Sequence, residues 1–186
     1  MDHDVSIPIT SERYFESFKE EYKGLQTNFG DAGDLAGLSS MARCVSFYSL
    51  TRDSSEEKVN IGVAKFRTAS FFGANTSLSV TCFCKLKENV IISKKHIPAF
   101  EIKTKAGTKV VNFKKIGHYG NNQFTVNTGD VHFLDDIFVP NAKITLLLYI
   151  GNNKNIRIPI PNYVVEDWKK VSTADLRQMK YDYENQ

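Results

Sequence analysis

The chain has 186 residues, of which 41% are hydrophobic, 12% aromatic and 24% charged. This composition excludes wholesale disorder and collagen-like sequence, and the length fits one domain with a buried core. The longest apolar run, residues 144–150, is far shorter than the ~18 residues that span a bilayer. We therefore expect no transmembrane segment, and the acidic N-terminal residues do not form a signal peptide.

The first predicted elements are an extended arm over residues 1–9 and a helix over residues 10–25. Apolar side chains of the helix recur at a spacing that places them on one face. We expect that face and two arm residues to drive self-association into a homo-oligomer: Ile7, Ile9, Tyr14, Phe18, Tyr22 and Leu25. A glycine- and aspartate-rich loop then divides the N-terminal arm and helix, residues 1–36, from a single β-rich domain, residues 37–186.

From residue 43 the pattern predicts short strands. Residues 77–86 alternate most regularly, with Phe83 on the face opposite Cys82 and Cys84. Near the end, Ser172 or Thr173 caps a C-terminal helix. We expect a β-rich α+β fold, an antiparallel sandwich, barrel or bent sheet of about eight to ten strands with an N-terminal and a C-terminal helix. The predicted strands are 43–50, 59–66, 77–86, 90–92, 100–105, 109–115, 123–127, 131–134, 144–150 and 156–160.

The three cysteines, Cys44, Cys82 and Cys84, are an odd number, and we expect no export signal in this chain. This favours a reducing, intracellular location. In a strand, the C-x-C spacing places Cys82 and Cys84 on one face, where we expect them to pack as small apolar groups. We predict neither a metal site nor a cofactor.

The net charge of +3 conceals an uneven distribution. Residues 1–60 carry a net charge of −5, residues 61–115 carry +9, and residues 116–186 carry −1. A lysine-rich face can bind phosphates or an anionic membrane surface, or it can simply be solvated. We assign the binding of an anionic partner to Lys85, Lys87, Lys94, Lys95, Lys103, Lys105, Lys109, Lys114 and Lys115.

Phenylalanines are interleaved with this lysine block. Aromatic and basic side chains together on a sheet can hold single-stranded nucleic acid, but phenylalanine also fills β cores, and we assign most of these rings to the core. Phe71 and Phe72 differ, because Ser70 and Gly73 give them a loop-like setting. We expect this pair to contact a partner or a membrane.

No catalytic motif is present: the sequence lacks a phosphate-binding G-x-x-x-x-G-K-[ST] loop, a dinucleotide-binding G-x-G-x-x-G and a nucleophilic G-x-S-x-G elbow. Asp130, His132 and Asp136 have even spacing, which would place them on one face of an unbroken strand as a metal cluster. A loop is the competing interpretation. We predict a protein that is not an enzyme; the alternative is an enzyme or small-ligand binder whose site combines dispersed residues such as Asp130, His132 and His118.

An acidic helical arm, a β-rich domain, a lysine-rich centre and no catalytic signature together resemble the matrix proteins of negative-strand RNA viruses. The resemblance covers the general make-up of the chain. It implies a virion-associated structural protein that self-associates and binds ribonucleoprotein, nucleic acid or a peripheral membrane surface. A second resemblance, to viral movement proteins with a β-sandwich core, implies nucleic-acid binding.

Overall fold

A computed structural model describes residues 14–30, 38–53, 56–87, 90, 93, 95–118, 123–128, 132–150 and 154–186. A 3-10 turn, Tyr14–Ser17, precedes ten strands and three α-helices. The strands are β1 (Lys19–Gly30), β2 (Leu38–Arg52), β3 (Glu57–Ser70), β4 (Gly73–Lys85), β5 (Ala99–Thr104), β6 (Gly107–Asn112), β7 (Lys115–His118), β8 (Gln123–Thr128), β9 (Lys143–Ile150) and β10 (Lys154–Ile160). The helices are α1 (Phe133–Ile137), α2 (Asn162–Thr173) and α3 (Leu176–Glu184).

The described strands form two antiparallel sheets. The first, which we call sheet A, has the order β1-β2-β3-β4-β8-β7, and sheet B has the order β10-β9-β5-β6. The inner face of each sheet contributes to one apolar cluster, which includes Val63 and Val80 from sheet A and Ile102 and Leu146 from sheet B. The prediction of a β-rich, sandwich-like α+β fold with a C-terminal helix is therefore confirmed.

The N-terminal helix prediction is wrong from Lys19 onward, where the chain forms β1 and pairs with β2. A bulge between Tyr22 and Leu25 explains the error. Gly24 at this bulge has a φ of 69°, and the extra residue switches the inward-facing positions from even to odd numbers. The bulge thereby produces the spacing of three and four residues that is typical of a helix.

Two other predictions change in the structure. Residues 133–137 form α1 rather than part of a strand. The cap of α3 is Asp175, whose carboxylate accepts a hydrogen bond from the backbone N–H of Gln178 at 3.1 Å. The division of the chain after residue 36 stays a prediction, although β1 and β2 on its two sides are hydrogen-bonded neighbours.

Helix α2 was missed at the sequence level, although its apolar residues repeat every three or four positions after Pro161. Lys65 holds its C-terminal end, because the Lys65 Nζ donates to the carbonyls of Ser172 and Ala174 at 3.0 and 2.7 Å. A cation is favourable there, since the last carbonyls of a helix carry partial negative charge. Lys65, one of the basic residues in the positively charged segment 61–115, thus supports the fold.

A second contact attaches α2 to β1. The Tyr22 hydroxyl donates a hydrogen bond to Asp167 in α2. Burial and the contact with Asp167 raise the pKa of Tyr22 to about 12. Burial alone would raise the pKa of Asp167, but hydrogen bonds from Tyr22 and Lys170 lower it below its usual range. The bulge in β1 and the helix are therefore held together by a short polar network.

The cysteines are buried as the alternation in β4 predicts. Cys82 and Cys84 have no exposed surface and lie with Val80 and Leu86 in the core. Burial raises the pKa of the Cys82 thiol well above its ordinary value. Both thiols are therefore uncharged at neutral pH and shielded from water.

We predict that a water-soluble thiol reagent leaves Cys82 and Cys84 unmodified in the native protein and labels both after denaturation. Cys82→Ala and Cys84→Ala should each lower the free energy of unfolding by on the order of 1 kcal/mol, because each removes a small buried group. Mass spectrometry of the labelled protein and denaturant titration measure the two effects. Rapid labelling of either thiol under native conditions would contradict the structure.

Candidate nucleic-acid interface

The predicted lysine face does not form as one surface. The register of β5 and β6 pairs Ile102 with Lys109 and Lys103 with Thr108, so Lys103 and Lys109 lie on opposite faces of sheet B. Lys95, Lys105 and Lys114 are exposed around this sheet, whereas Lys85 and Lys87 end β4 in sheet A. Lys94 and the Lys115 side chain lie outside the described residues.

Several of these lysines bind acids of the same chain. Lys103 lies 3.4 Å from Glu101, Lys109 pairs with Asp136, and Lys87 lies 2.5 Å from Asp53. The last pair lowers the pKa of Asp53 and raises that of Lys87, so both stay charged at neutral pH. These contacts reduce the positive charge that the block offers to a partner, and its binding role stays a prediction.

Phe71 and Phe72 occupy the two-residue turn between β3 and β4. Each residue is 94% exposed, and the ring centroids are 6.1 Å apart. The sequence suggested that at least one ring would be accessible, and the structure exposes both. Their role in contacting a partner or membrane stays a prediction.

The predicted self-association face is used inside the chain. Phe18 is a core residue, and Tyr22 and Leu25 pack against the same cluster. These side chains therefore have packing partners within the chain, and their role in self-association stays a prediction. Ile7, Ile9 and the Tyr14 side chain lie outside the described residues.

The outer face of sheet A, opposite the core, carries a different set of residues. Strand alternation places Phe47, Phe66 and Phe83 on this face, and all three are partly exposed. None of the described helices packs there, because α2 and α3 contact the inner side of sheet A through groups such as Trp168 and Tyr183. Of the phenylalanines assigned to the core, Phe100 and Phe113 are buried in it, which confirms the assignment for these two. The assignment is wrong for Phe66 and Phe83, which strand register places on the outer face.

The Phe47 ring lies across Gly62 on the neighbouring strand. A Cβ atom at position 62 would come within 2.3 Å of the Phe47 Cδ1 atom and within 2.3 Å of the Ser46 carbonyl oxygen. A glycine inside a strand marks such a close approach, and an aromatic ring often covers it. The Phe47 ring therefore occupies the space that a side chain at position 62 would need, and it remains partly exposed.

Basic side chains share this face with the rings. Lys58 and Lys85 are directly opposite each other on β3 and β4, and Arg43 is opposite Phe66. Like charges in directly opposed positions repel each other. Among the described carboxylates, Glu21 shares this face and accepts a hydrogen bond from Thr51 at 3.1 Å.

Small polar residues fill the spaces between the rings and the cations. Asn60 and Ser49 lie in the same cross-strand row as Phe83, and the Ser49 hydroxyl donates to the Asn60 amide oxygen at 2.7 Å. Two residues along a strand span about 7 Å, so successive rows lie about that far apart. The face therefore combines aromatic surfaces, hydrogen-bonding groups and positive charge, with Val45 and Ala64 buried in the row between Phe47 and Phe66.

The alternative metal and catalytic residues do not converge within the described part of the chain. His132 precedes α1 and is exposed, while Asp136 lies within the helix and binds Lys109. The even spacing of the predicted cluster therefore does not correspond to one strand face. Asp130 and the His118 side chain lie outside the described residues.

A shallow groove between β6 and α1 contains both His132 and Asp136, together with Val110 and Phe113. No group of three or more potential metal ligands occurs among the described residues. In this groove the Asp136 carboxylate forms an ion pair with the Lys109 ammonium group, so the two charges neutralise one another.

The sequence held one signal for the outer face of sheet A. The alternation in 77–86 already assigned Phe83 and Lys85 to the side opposite the cysteines. Nothing local indicated that Phe47 and Phe66 would join them, because strand pairing and register bring these residues together.

Comparisons with protein-family models, curated proteins and solved structures found no match for this chain. No described helix is long and apolar enough to cross a membrane.

Gly62→Ala should lower the free energy of unfolding by about 1–3 kcal/mol, the usual cost of overpacking, because the new methyl group displaces Phe47 or the β2 backbone. Gly30→Ala is the matched control, since a Cβ there meets nothing within 4 Å. Thermal or denaturant unfolding of the two variants makes the comparison. Equal stability of both would show that Phe47 does not lie on Gly62.

Proposed function

We propose that this chain is a non-catalytic protein that binds single-stranded nucleic acid on the outer face of sheet A. The observation that carries the proposal is the Phe47 ring, which lies against Gly62 and is partly exposed on this face. Base stacking on aromatic rings of an open sheet, with cations along the phosphates, is a common way of holding single strands.

The charge on this face supports the same ligand. Lys58 and Lys85 repel each other in opposed positions, and a phosphate group would relieve that repulsion. Lysine provides a point charge without the bidentate geometry that reads bases, so we expect little sequence preference. The stacking surface is equally tolerant, because every base has an aromatic face.

The open geometry favours a polymer over a small molecule. A small ligand is usually bound in a concave pocket that buries most of its surface. The outer face of sheet A instead spreads Phe47, Phe66 and Phe83 over three strands, and the cross-strand rows that contain them extend along several residues of each strand. An extended chain with repeated aromatic and anionic groups matches this distribution.

The resemblance to viral matrix proteins implies contact with ribonucleoprotein, which agrees with a single-stranded ligand. This agreement supports RNA as the first probe. Self-association is also part of that expectation, although Phe18, Tyr22 and Leu25 pack within the chain.

The stacking role predicts a difference between two substitutions at one position. Phe47→Leu keeps an apolar side chain but removes the ring, and it should weaken binding of a uridine homopolymer oligonucleotide by about 5- to 150-fold, the cost of losing one stacked base. Phe47→Tyr keeps the ring and should bind within a few-fold of the native chain. Fluorescence anisotropy with a labelled oligonucleotide measures both, and equal affinity of the two variants would refute stacking at Phe47.

The electrostatic role predicts a difference between two pairs of lysines. Lys58→Gln with Lys85→Gln should weaken binding and reduce the slope of log affinity against log salt by about 1.4, because each single-strand phosphate contact contributes about 0.7. Lys103→Gln with Lys105→Gln removes the same charge from sheet B and should leave the slope nearly unchanged. A salt titration of both double variants makes the measurement, and the reverse result would assign binding to sheet B.

A further inference from the structure

The first half of β4 has an open edge. Strand β8 pairs with β4 only from Val80 to Lys85, so among the described strands residues 73–79 have β3 as their single neighbour. The residues of this edge are neutral, and none is a lysine or proline. Natural sheets usually protect an edge with charge, proline or a covering segment, and an unprotected edge is a template for another strand.

We propose that two copies of this chain associate through residues 73–79, with the two β4 edges paired antiparallel about a two-fold axis at Thr76. The pairing would join the two copies of sheet A into one continuous sheet. This proposal does not depend on nucleic-acid binding.

The hairpin geometry determines which backbone groups are available. Ser70 and Gly73 close the two-residue turn, so the ladder between β3 and β4 begins with a hydrogen-bonded pair. Hydrogen-bonded and non-hydrogen-bonded pairs alternate along an antiparallel ladder. The backbone N–H and C=O groups of Ala74, Thr76 and Leu78 therefore point away from β3, toward the open edge.

Ala74, Thr76 and Leu78 can pair with the same three positions of a second copy. With the axis at Thr76, each Thr76 is opposite the same residue of the second copy, and Ala74 is opposite Leu78. All three positions present outward groups, so every pair can exchange two hydrogen bonds. A Thr–Thr pair is favourable across strands, and no charged side chains oppose each other. A two-fold axis also makes the interface closed, which limits the assembly to two copies at this edge.

The same register gives Phe71 and Phe72 a place to pack. In the pair, Gly73 of one copy lies opposite Ser79 of the other, the last open position before Val80, which pairs with Thr128 of β8; the turn of Phe71 and Phe72 then packs against the end of β8. The length of the open edge is thus complementary to the length of the hairpin that fills it. A second copy at this edge would account for two separate features of the single chain. These are the unpaired edge of β4 and the exposure of Phe71 and Phe72, each of which is 94% exposed.

Polar groups of the turn already have hydrogen-bond partners within the turn, which favours contact with an apolar surface. The Phe72 N–H donates to the Ser70 hydroxyl oxygen at 3.1 Å, and that hydroxyl donates to the Gly73 carbonyl at 3.3 Å. Internal partners for these polar groups lower the cost of removing the turn from water.

Thr76→Pro tests the edge directly. Proline removes the outward N–H of residue 76, whereas the bonds between β3 and β4 remain, because position 76 belongs to a non-hydrogen-bonded pair. Light scattering after size-exclusion chromatography should give the native chain twice the 21.1 kDa monomer mass and the variant the monomer mass. Thr76→Ala is the matched control, which keeps the N–H and should remain dimeric.

Thr76→Lys provides a second test that leaves the backbone donor in place. Two lysines would face each other across the axis, and their repulsion should also give the monomer mass. Circular dichroism should show all variants folded. Retention of the dimer by both Thr76→Pro and Thr76→Lys would overturn the proposal. So would a monomeric native chain that binds phosphatidylserine vesicles through Phe71 and Phe72, because a lipid surface would then be the occupant of the turn.

Discussion

The fold depends on the burial of Trp168, a residue of α2, between sheet A and sheet B. Its indole N–H donates to the Ser46 carbonyl in β2 at 3.1 Å, and its ring centroid lies 6.0 Å from that of Phe100 in β5. The side chain has no exposed surface. An aromatic residue of this size contributes a large apolar area, while its N–H needs a partner when buried. The burial of this one side chain thus determines that α2 covers the inner side of sheet A.

Because α2 and α3 cover the inner side of sheet A, side chains on its outer side have a different physical role. Lys65 and Tyr22 project inward and bind α2, so charge and polarity there stabilise the helix. The outer side instead has the Phe47 ring over Gly62, an arrangement that needs a missing Cβ and fills no interior space. Under the proposed function, the rings on this face are the surfaces on which bases stack.

The distribution of lysines along the chain and their distribution in space are different properties. Residues 61–115 carry a net charge of +9. In the structure, however, Lys65 stabilises α2, Lys87 binds Asp53 and Lys109 binds Asp136. Lys58 lies before the basic block in the sequence, yet it stands beside Lys85 on the outer face of sheet A. A binding surface is therefore defined by strand register as much as by composition.

The sequence by itself determined the β-rich class, the buried cysteines and the C-terminal helix, because the alternation of Leu78, Cys82 and Cys84 and the spacing of Leu176 and Met179 are local properties. It did not determine the cap of that helix, which is Asp175 rather than Ser172 or Thr173. It did not determine β1, since the bulge at Gly24 changes the parity of the inward residues and imitates a helix. Only the tertiary structure decided the outer face of sheet A and the open edge of β4. Phe47, Gly62 and Phe83 come from three separate strands, and long-range pairing, which no local pattern specifies, makes them neighbours.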